Sequence, residues 1–151
     1  MKTFESLSEV AASVGQEVAV SEWVTITQEQ VNRFAEATGD HQWIHVDVER
    51  AKAGPFGAPI AHGFLTLSLL PVFFESAFDI RNTRMGVNYG LNRVRFTAPV
   101  PVGSRLRARL TLQATEPIEQ GGLQMTWAVV VEREGAEKPV CFAESLVRQY
   151  P

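Results

Sequence analysis

The residues best suited to chemistry are crowded into one stretch, Gly39-Asp40-His41-Gln42-Trp43-Ile44-His45-Val46-Asp47. A carboxylate beside an imidazole can position one water and take its proton. On a continuous helix Asp40 and His45 would point roughly 140° apart, since each residue turns the helix by about 100°. Gly39 is a natural left-handed helix terminator, so the stretch reads as a loop in which the two side chains can converge. The alternative is that Asp40 makes only a local Asx turn and His45 is a satisfied loop residue. A metal reading rests on His41 and His45 at i, i+4 spacing, supplemented by Asp40, Asp47 or His62. Such a pair needs a helix, and no His-Glu-x-x-His pattern is present, so no metal is expected.

The second feature is Pro59-Ile60-Ala61-His62-Gly63-Phe64, which opens an apolar helix. The first amide N–H groups of a helix have no internal partner, and the dipole there favours negative charge. Gly63 has no side chain, so a ligand can come close to its N–H, and a developing oxyanion is stabilised at such a place. The alternative is that Gly63 only allows close packing of helix against sheet.

Elements on either side must position these residues. Glu17 to Val24 reads as a first strand. Thr27 and Gln30 have capping-box spacing, and Ile26 and Val31 make a hydrophobic staple. Val31, Phe34, Ala35 and Thr38 continue a helix that ends at Gly39. Asp47 caps a second short helix, Val48 to Ala53, closed by Gly54 and Pro55. From Ala61 to Phe78 apolar residues point in every direction around a helix, which must then be enclosed by other structure. Pro71 kinks this helix or starts a second piece.

The second half alternates with period two. Val94, Phe96 and Ala98 alternate with Arg93, Arg95 and Thr97. Leu106, Ala108, Leu110, Leu112 and Ala114 alternate with polar residues. Leu123, Met125, Trp127, Val129 and Val131 repeat the pattern, as do Val140, Phe142, Glu144 and Leu146, with one charge. These are strands with one buried face. Gly121-Gly122 and Glu134-Gly135 are hairpin turns, so the sheet is antiparallel. The fold class is α+β, a curved antiparallel sheet wrapped around a buried helix: the hot-dog fold. The row Arg105, Arg107, Arg109 reads as a solvated strand face. Trp23 and Trp127 read as core.

The 151 residues fit a single domain, 1–151. Hydrophobic residues are 45% and charged residues 21%, which argues against disorder. A net charge of −3 argues against a general nucleic-acid binder. The one cysteine, Cys141, cannot form an internal disulfide. The start does not read as a signal peptide, and the longest uncharged apolar run, Ile60 to Phe74, is shorter than the ~20 residues of a membrane helix. A soluble, cytoplasmic protein with no membrane association is expected.

Together, Gly39-Asp40 followed by His45, then Ala61-His62-Gly63-Phe64, then Tyr89 to Phe96 and Pro99-Val100-Pro101-Val102-Gly103 resemble the MaoC-like (R)-specific enoyl-CoA hydratases, over nearly the whole chain from Val20 onward. The family signature Gly-Asp-x-Asn-Pro-(aliphatic)-His is matched at Asp40 and His45, while Gln42 and Trp43 stand in place of Asn and Pro. The resemblance implies addition of water to a trans-2-enoyl thioester, giving an (R)-3-hydroxyacyl thioester. It implies that Asp40 and His45 hold and activate the water, with the Gly63 N–H taking the charge on the thioester oxygen. Gln42, Ile44, His62, Phe64, Asn88, Tyr89 and Arg93 are the expected substrate-binding residues. No metal or redox cofactor is implied, and coenzyme A enters only as part of an acyl-CoA or acyl-carrier substrate. A homodimer is expected, because a half-wrapped helix leaves an apolar surface and open sheet edges. The alternatives are a hot-dog acyl-CoA thioesterase and a non-catalytic acyl-thioester-binding subunit.

Overall fold

Leu123, Met125, Trp127, Val129 and Val131 are all buried on one face of a single strand, as their alternation requires. In the computed structural model, which describes residues 1–151, that strand lies at the centre of the sheet. The chain runs β1 (Lys2–Phe4), α1 (Leu7–Ala11), β2 (Glu17–Val20), β3 (Val24–Thr25), α2 (Gln28–Thr38), α3 (Trp43–Val46), α4 (Val48–Lys52), α5 (Gly63–Ser68), α6 (Leu70–Ala77), β4 (Phe78–Ile80), β5 (Met85–Arg95), β6 (Arg105–Pro117), β7 (Leu123–Arg133) and β8 (Cys141–Tyr150). The main sheet has the order β2-β6-β7-β8-β5, with β3 also on β6, and every pairing in it is antiparallel. β1 and β4 form a small parallel pair beside it. This is the expected α+β hot-dog architecture.

One contiguous core lies between the sheet and α5–α6. Trp127 is its largest fully buried side chain, stacked on Phe78 at 5.2 Å and edge-on to Phe74 at 5.4 Å. Truncating such a residue to alanine costs about 3–5 kcal/mol. The other expected core tryptophan, Trp23, is only half-buried. It lies on the outer face under the guanidinium of Arg107, at 4.3 Å. The arginine row there is an ion-pair ladder: Arg105 with Glu134, Arg107 and Arg109 with Glu132, and Arg109 also with Glu17.

Several local expectations are corrected. The buried face of β8 is Cys141, Ala143 and Ser145, the opposite phase to Phe142, Glu144 and Leu146. The charge at Glu144 was the clue, because a one-residue slip moves every side chain to the other face. Ala114 is exposed, because the β6–β7 register shifts between Leu112 and Ala114. The first strand breaks into β2 and β3 after Val20. Phe96 lies beyond β5 and is exposed.

The long apolar helix is two pieces. It breaks at Leu69, and Pro71 sits in the first turn of α6, where its missing N–H costs nothing. Nor is it enclosed within one chain, for Phe64 is 67% exposed and Val72 is also exposed. Helix α2 starts and stops as expected. Thr27 Oγ1 accepts from the Gln30 N–H at 3.2 Å, Ile26 and Val31 are fully buried, and Gly39 caps the end with φ 85°. Asp47 caps α4 by accepting from the Arg50 N–H at 3.1 Å. No helix is long and apolar enough to cross a membrane.

Candidate active site

His45 is on a helical turn rather than in a plain loop, which corrects the expectation for residues 40–47. The His45 N–H donates to the Gln42 carbonyl at 3.0 Å, and the Asp47 N–H to the Trp43 carbonyl at 3.1 Å. Four residues with no side-chain cap leave little signal in a sequence. Helix α2 holds this turn from below: Gln28 Nε2 donates to the His45 carbonyl at 2.8 Å. Trp43, in place of the family proline, packs against Gly54, where an added Cβ would come within 2.9 Å of its ring, and under Arg50 at 4.3 Å.

The segment before α5 is pinned to the same turn and to the Pro99–Gly103 motif. The Ile60 N–H donates to the Ile44 carbonyl at 3.0 Å, the Ala61 N–H to the Val100 carbonyl at 2.8 Å, and the Val102 N–H to the Pro59 carbonyl at 2.9 Å. Ile44 therefore acts here through its main chain. His45 Nδ1 lies 2.7 Å from the Ile60 carbonyl oxygen. A carbonyl can only accept, so Nδ1 carries the proton and Nε2 of the neutral ring keeps its lone pair. His45 is only 6% exposed. Burial depresses its pKa below the ordinary imidazole range, with the nearby His62 adding to the depression; the hydrogen bond to Ile60 and the charge of Asp40 oppose it.

Asp40 is exposed, and its Oδ1 accepts from the Gln42 N–H at 3.3 Å. The Asx-type contact therefore coexists with the approach of Asp40 to His45. Ligating atoms of Asp40, His45 and His62 lie within 4.8 Å of one another. His41 is exposed and outside this group, so the expected i, i+4 histidine pair is not the one that forms. The rings of His45 and His62 are stacked, 3.8 Å apart and 24° from parallel. His45 Nδ1 and His62 Nε2 are each engaged with a main-chain carbonyl oxygen.

Gly63 begins α5 next door. The N–H groups of Leu65 and Thr66 both turn back to the His62 carbonyl, at 3.0 and 3.2 Å, while Gly63 precedes these bonds. Packing also demands this glycine, for an added Cβ would come within 2.7 Å of the Phe96 ring. Phe96 is edge-on to Phe64 at 5.8 Å. A cavity of about 370 Å³ opens here, lined by Ile60, Gly63, Thr66 and Phe96 among others.

Asn88 and Tyr89 lie further along, on the wall of a second cavity of about 410 Å³ between α5–α6 and β5, together with Leu67, Pro71, Gly90 and Ser145. A third, of about 250 Å³, shares Pro71 and Asn88 and continues to Phe78 and Trp127. Tyr89 is 56% exposed, under Arg148 at 3.6 Å, so it is not sheet core. Arg93 is exposed on β5 and makes no ion pair. Gln42 is exposed at the mouth of the turn. His62 is buried, and its Nε2 donates to the Asp40 carbonyl at 2.9 Å. Sequence reasoning missed Ile60, whose contribution is a carbonyl and leaves no side-chain signal. It also missed Gln28 and Ser145.

The MaoC like domain model matches residues 9–134, which takes in Asp40, His45, His62 and Gly63. The chain belongs to the MaoC-like family. Within it, this MaoC-like chain is 57% identical over 148 residues to the 3-hydroxyacyl-thioester dehydratase Z of Mycobacterium tuberculosis, covering 98% of each. Among solved structures it is similar to the monoamine oxidase regulatory protein of Archaeoglobus, with a TM-score of 0.75 at 22% identity, covering 99% of this chain and 97% of that one. It is also similar to the (R)-hydratase from A. caviae involved in PHA biosynthesis, with a TM-score of 0.71 at 21% identity, covering 91% and 98%. At those identities the two structures speak for the MaoC-like hot-dog fold alone.

Proposed function

We propose that this chain is an (R)-specific enoyl-thioester hydratase, catalysing the reversible addition of water to a trans-2-enoyl-CoA. The observation that carries this reading is the convergence of the Asp40 carboxylate with a neutral, fixed His45 beside the Gly63 turn. His45 Nε2 takes a proton from a water that Asp40 holds, and the water oxygen bonds to C3. The electron pair of the C2–C3 double bond moves toward the thioester, and the charge on its oxygen is met by the Gly63 N–H. A proton then returns to C2. Asp40 and His45 face the same water, so the returning proton comes from one of these two groups. The relative at 57% identity, named a 3-hydroxyacyl-thioester dehydratase, supports the same reaction read backwards. No metal or redox cofactor enters these steps, and coenzyme A is part of the substrate, with Arg93 meeting its phosphates. The acyl chain follows the groove between α5–α6 and β5, past Asn88 and Tyr89.

The test follows enoyl absorbance and free thiol together, with a chelator present. Loss of absorbance without thiol release is expected, along with dehydration of the (R)- but not the (S)-3-hydroxyacyl-CoA. Thiol release would make the chain a thioesterase. Tight binding without turnover would make it a binding subunit. Turnover that needed added zinc would overturn the site chemistry.

A further inference from the structure

The expected role of His62 as a substrate contact does not fit its surroundings. It is 2% exposed. Its Nε2 lies 2.9 Å from the main-chain carbonyl oxygen of Asp40, so Nε2 carries the proton and donates. Its ring stacks on His45 at 3.8 Å, and Phe34 of α2 packs against it at 4.8 Å. Its own carbonyl accepts the first hydrogen bonds of α5, and its next residue is Gly63. One side chain thus touches the backbone of Asp40 and the ring of His45 while its main chain forms the turn that presents the Gly63 N–H.

Resting on the hydratase reading above, we infer that His62 is a positioning residue that holds Asp40, His45 and the Gly63 turn in one fixed relation without touching substrate. A second observation points the same way. His62 Nδ1 is buried with no hydrogen-bond partner. Buried polar atoms are nearly always satisfied, and an exception calls for a reason. Packing alone would be served by an aromatic residue with no orphaned acceptor. The imidazole is needed because it combines a flat face for His45 with a donor for the Asp40 carbonyl. Asp40 and His62 are the charged or titratable groups acting on His45, and His62 acts to depress its pKa.

The test uses two variants, each removing one half of the role. His62→Gln keeps a donor near the Asp40 carbonyl and loses the stacked ring. His62→Phe keeps a flat ring and loses the donor. For each, kcat should fall about 10-fold to 100-fold with KM within about two-fold, the loss expected when a catalytic group is displaced by about 1 Å. In His62→Gln the acid limb of the pH profile should also move to higher pH, because the ring that buries one face of His45 has gone. Wild-type kcat and an unmoved acid limb in a folded variant would overturn the inference, as would an effect on KM alone. If His62→Phe fails to fold, His62→Gln decides; if neither folds, His62 is a structural residue and the inference falls. Asp40→Asn and His45→Gln are run beside them. If those two keep full turnover, the hydratase site itself is wrong. If they are dead while His62→Gln is normal, only the positioning role is lost.

Discussion

In the proposed reaction Asp40 and His45 do different things for the same water, and their surroundings explain how. The His45 ring is held by its own Nδ1–H on the Ile60 carbonyl, so the free lone pair has one direction. Asp40 is tethered through Oδ1 to the Gln42 N–H but stays open to solvent. Asp40→Asn and His45→Gln should each lower kcat by about 10² to 10⁴, the range for a positioned acid or base. The double variant should be little worse than the worse single one, because both groups act on one event. Neither swap changes volume much, so melting temperatures should stay close to wild type, and an unfolded variant would return that residue to a structural role. The pH profile carries a second prediction. Burial depresses the His45 pKa, so the neutral base persists below the usual imidazole value of about 6.5. In the hydration direction kcat/KM should therefore stay flat through that pH and fall only on its acid side. A limb centred above neutrality would mean that another group is the base. The same sign holds for stability. A depressed folded-state pKa gives a contribution that is present above the unfolded value and lost as pH falls through the folded one.

At the scale of elements, α5–α6 and β5 form the two walls of the groove that carries the acyl chain in the proposed reaction. Gly90 is on the β5 wall, its φ is not left-handed, and an added Cβ there would meet nothing within 4 Å. Gly90→Leu should therefore fold normally and fill the groove. Short enoyl-CoA substrates should keep their kcat/KM while long ones lose it, as graded chain lengths would reveal. Equal loss at every length would place the acyl chain elsewhere. How far such elements can be read from sequence depended on how local their causes are. Helix α2 was legible because cap, staple and terminator are all contained in residues 26–39. The central strands were legible because burial on one face writes itself as alternation. The phase of β8 was misread because Phe142 and Leu146 are apolar on a half-buried face, while the core face is filled by the small residues Ala143 and Ser145. Asp40 and His45 were legible as a pair of types at a spacing. The α3 turn, the Ile60 carbonyl and the contact of His62 with the Asp40 carbonyl were not, because each depends on main-chain hydrogen bonds between segments distant in sequence.

At the scale of the whole molecule, one face of the chain is unfinished. β5 is the sheet's edge, paired only with β8, and almost all of it is exposed. Met85, Val87, Tyr89 and Leu91 are apolar or aromatic side chains left in solvent, as are Phe64 and Val72 on the helices. An open edge with apolar side chains is a template for another strand, and large apolar patches on a soluble chain mark contact surfaces. A second copy of the chain, related by a two-fold axis, would pair edge with edge and cover both patches at once. Phe96, which packs on Gly63, and its neighbour Phe64 are exposed as well, and a partner that covered them would also close the proposed site. The expected solution mass is that of two chains at micromolar concentration. Val87 lines none of the cavities described, so Val87→Asp tests the contact without entering the site. The buried charge should push the variant toward monomer, and its specific activity should fall on dilution while that of the wild type holds. A variant that stays dimeric with wild-type melting would show that β5 is not the contact. A monomeric variant with undiminished activity would show that each chain closes its own site. A wild-type chain that is monomeric alone but completed by a different hot-dog chain would replace the homodimer with a mixed pair on the same edge.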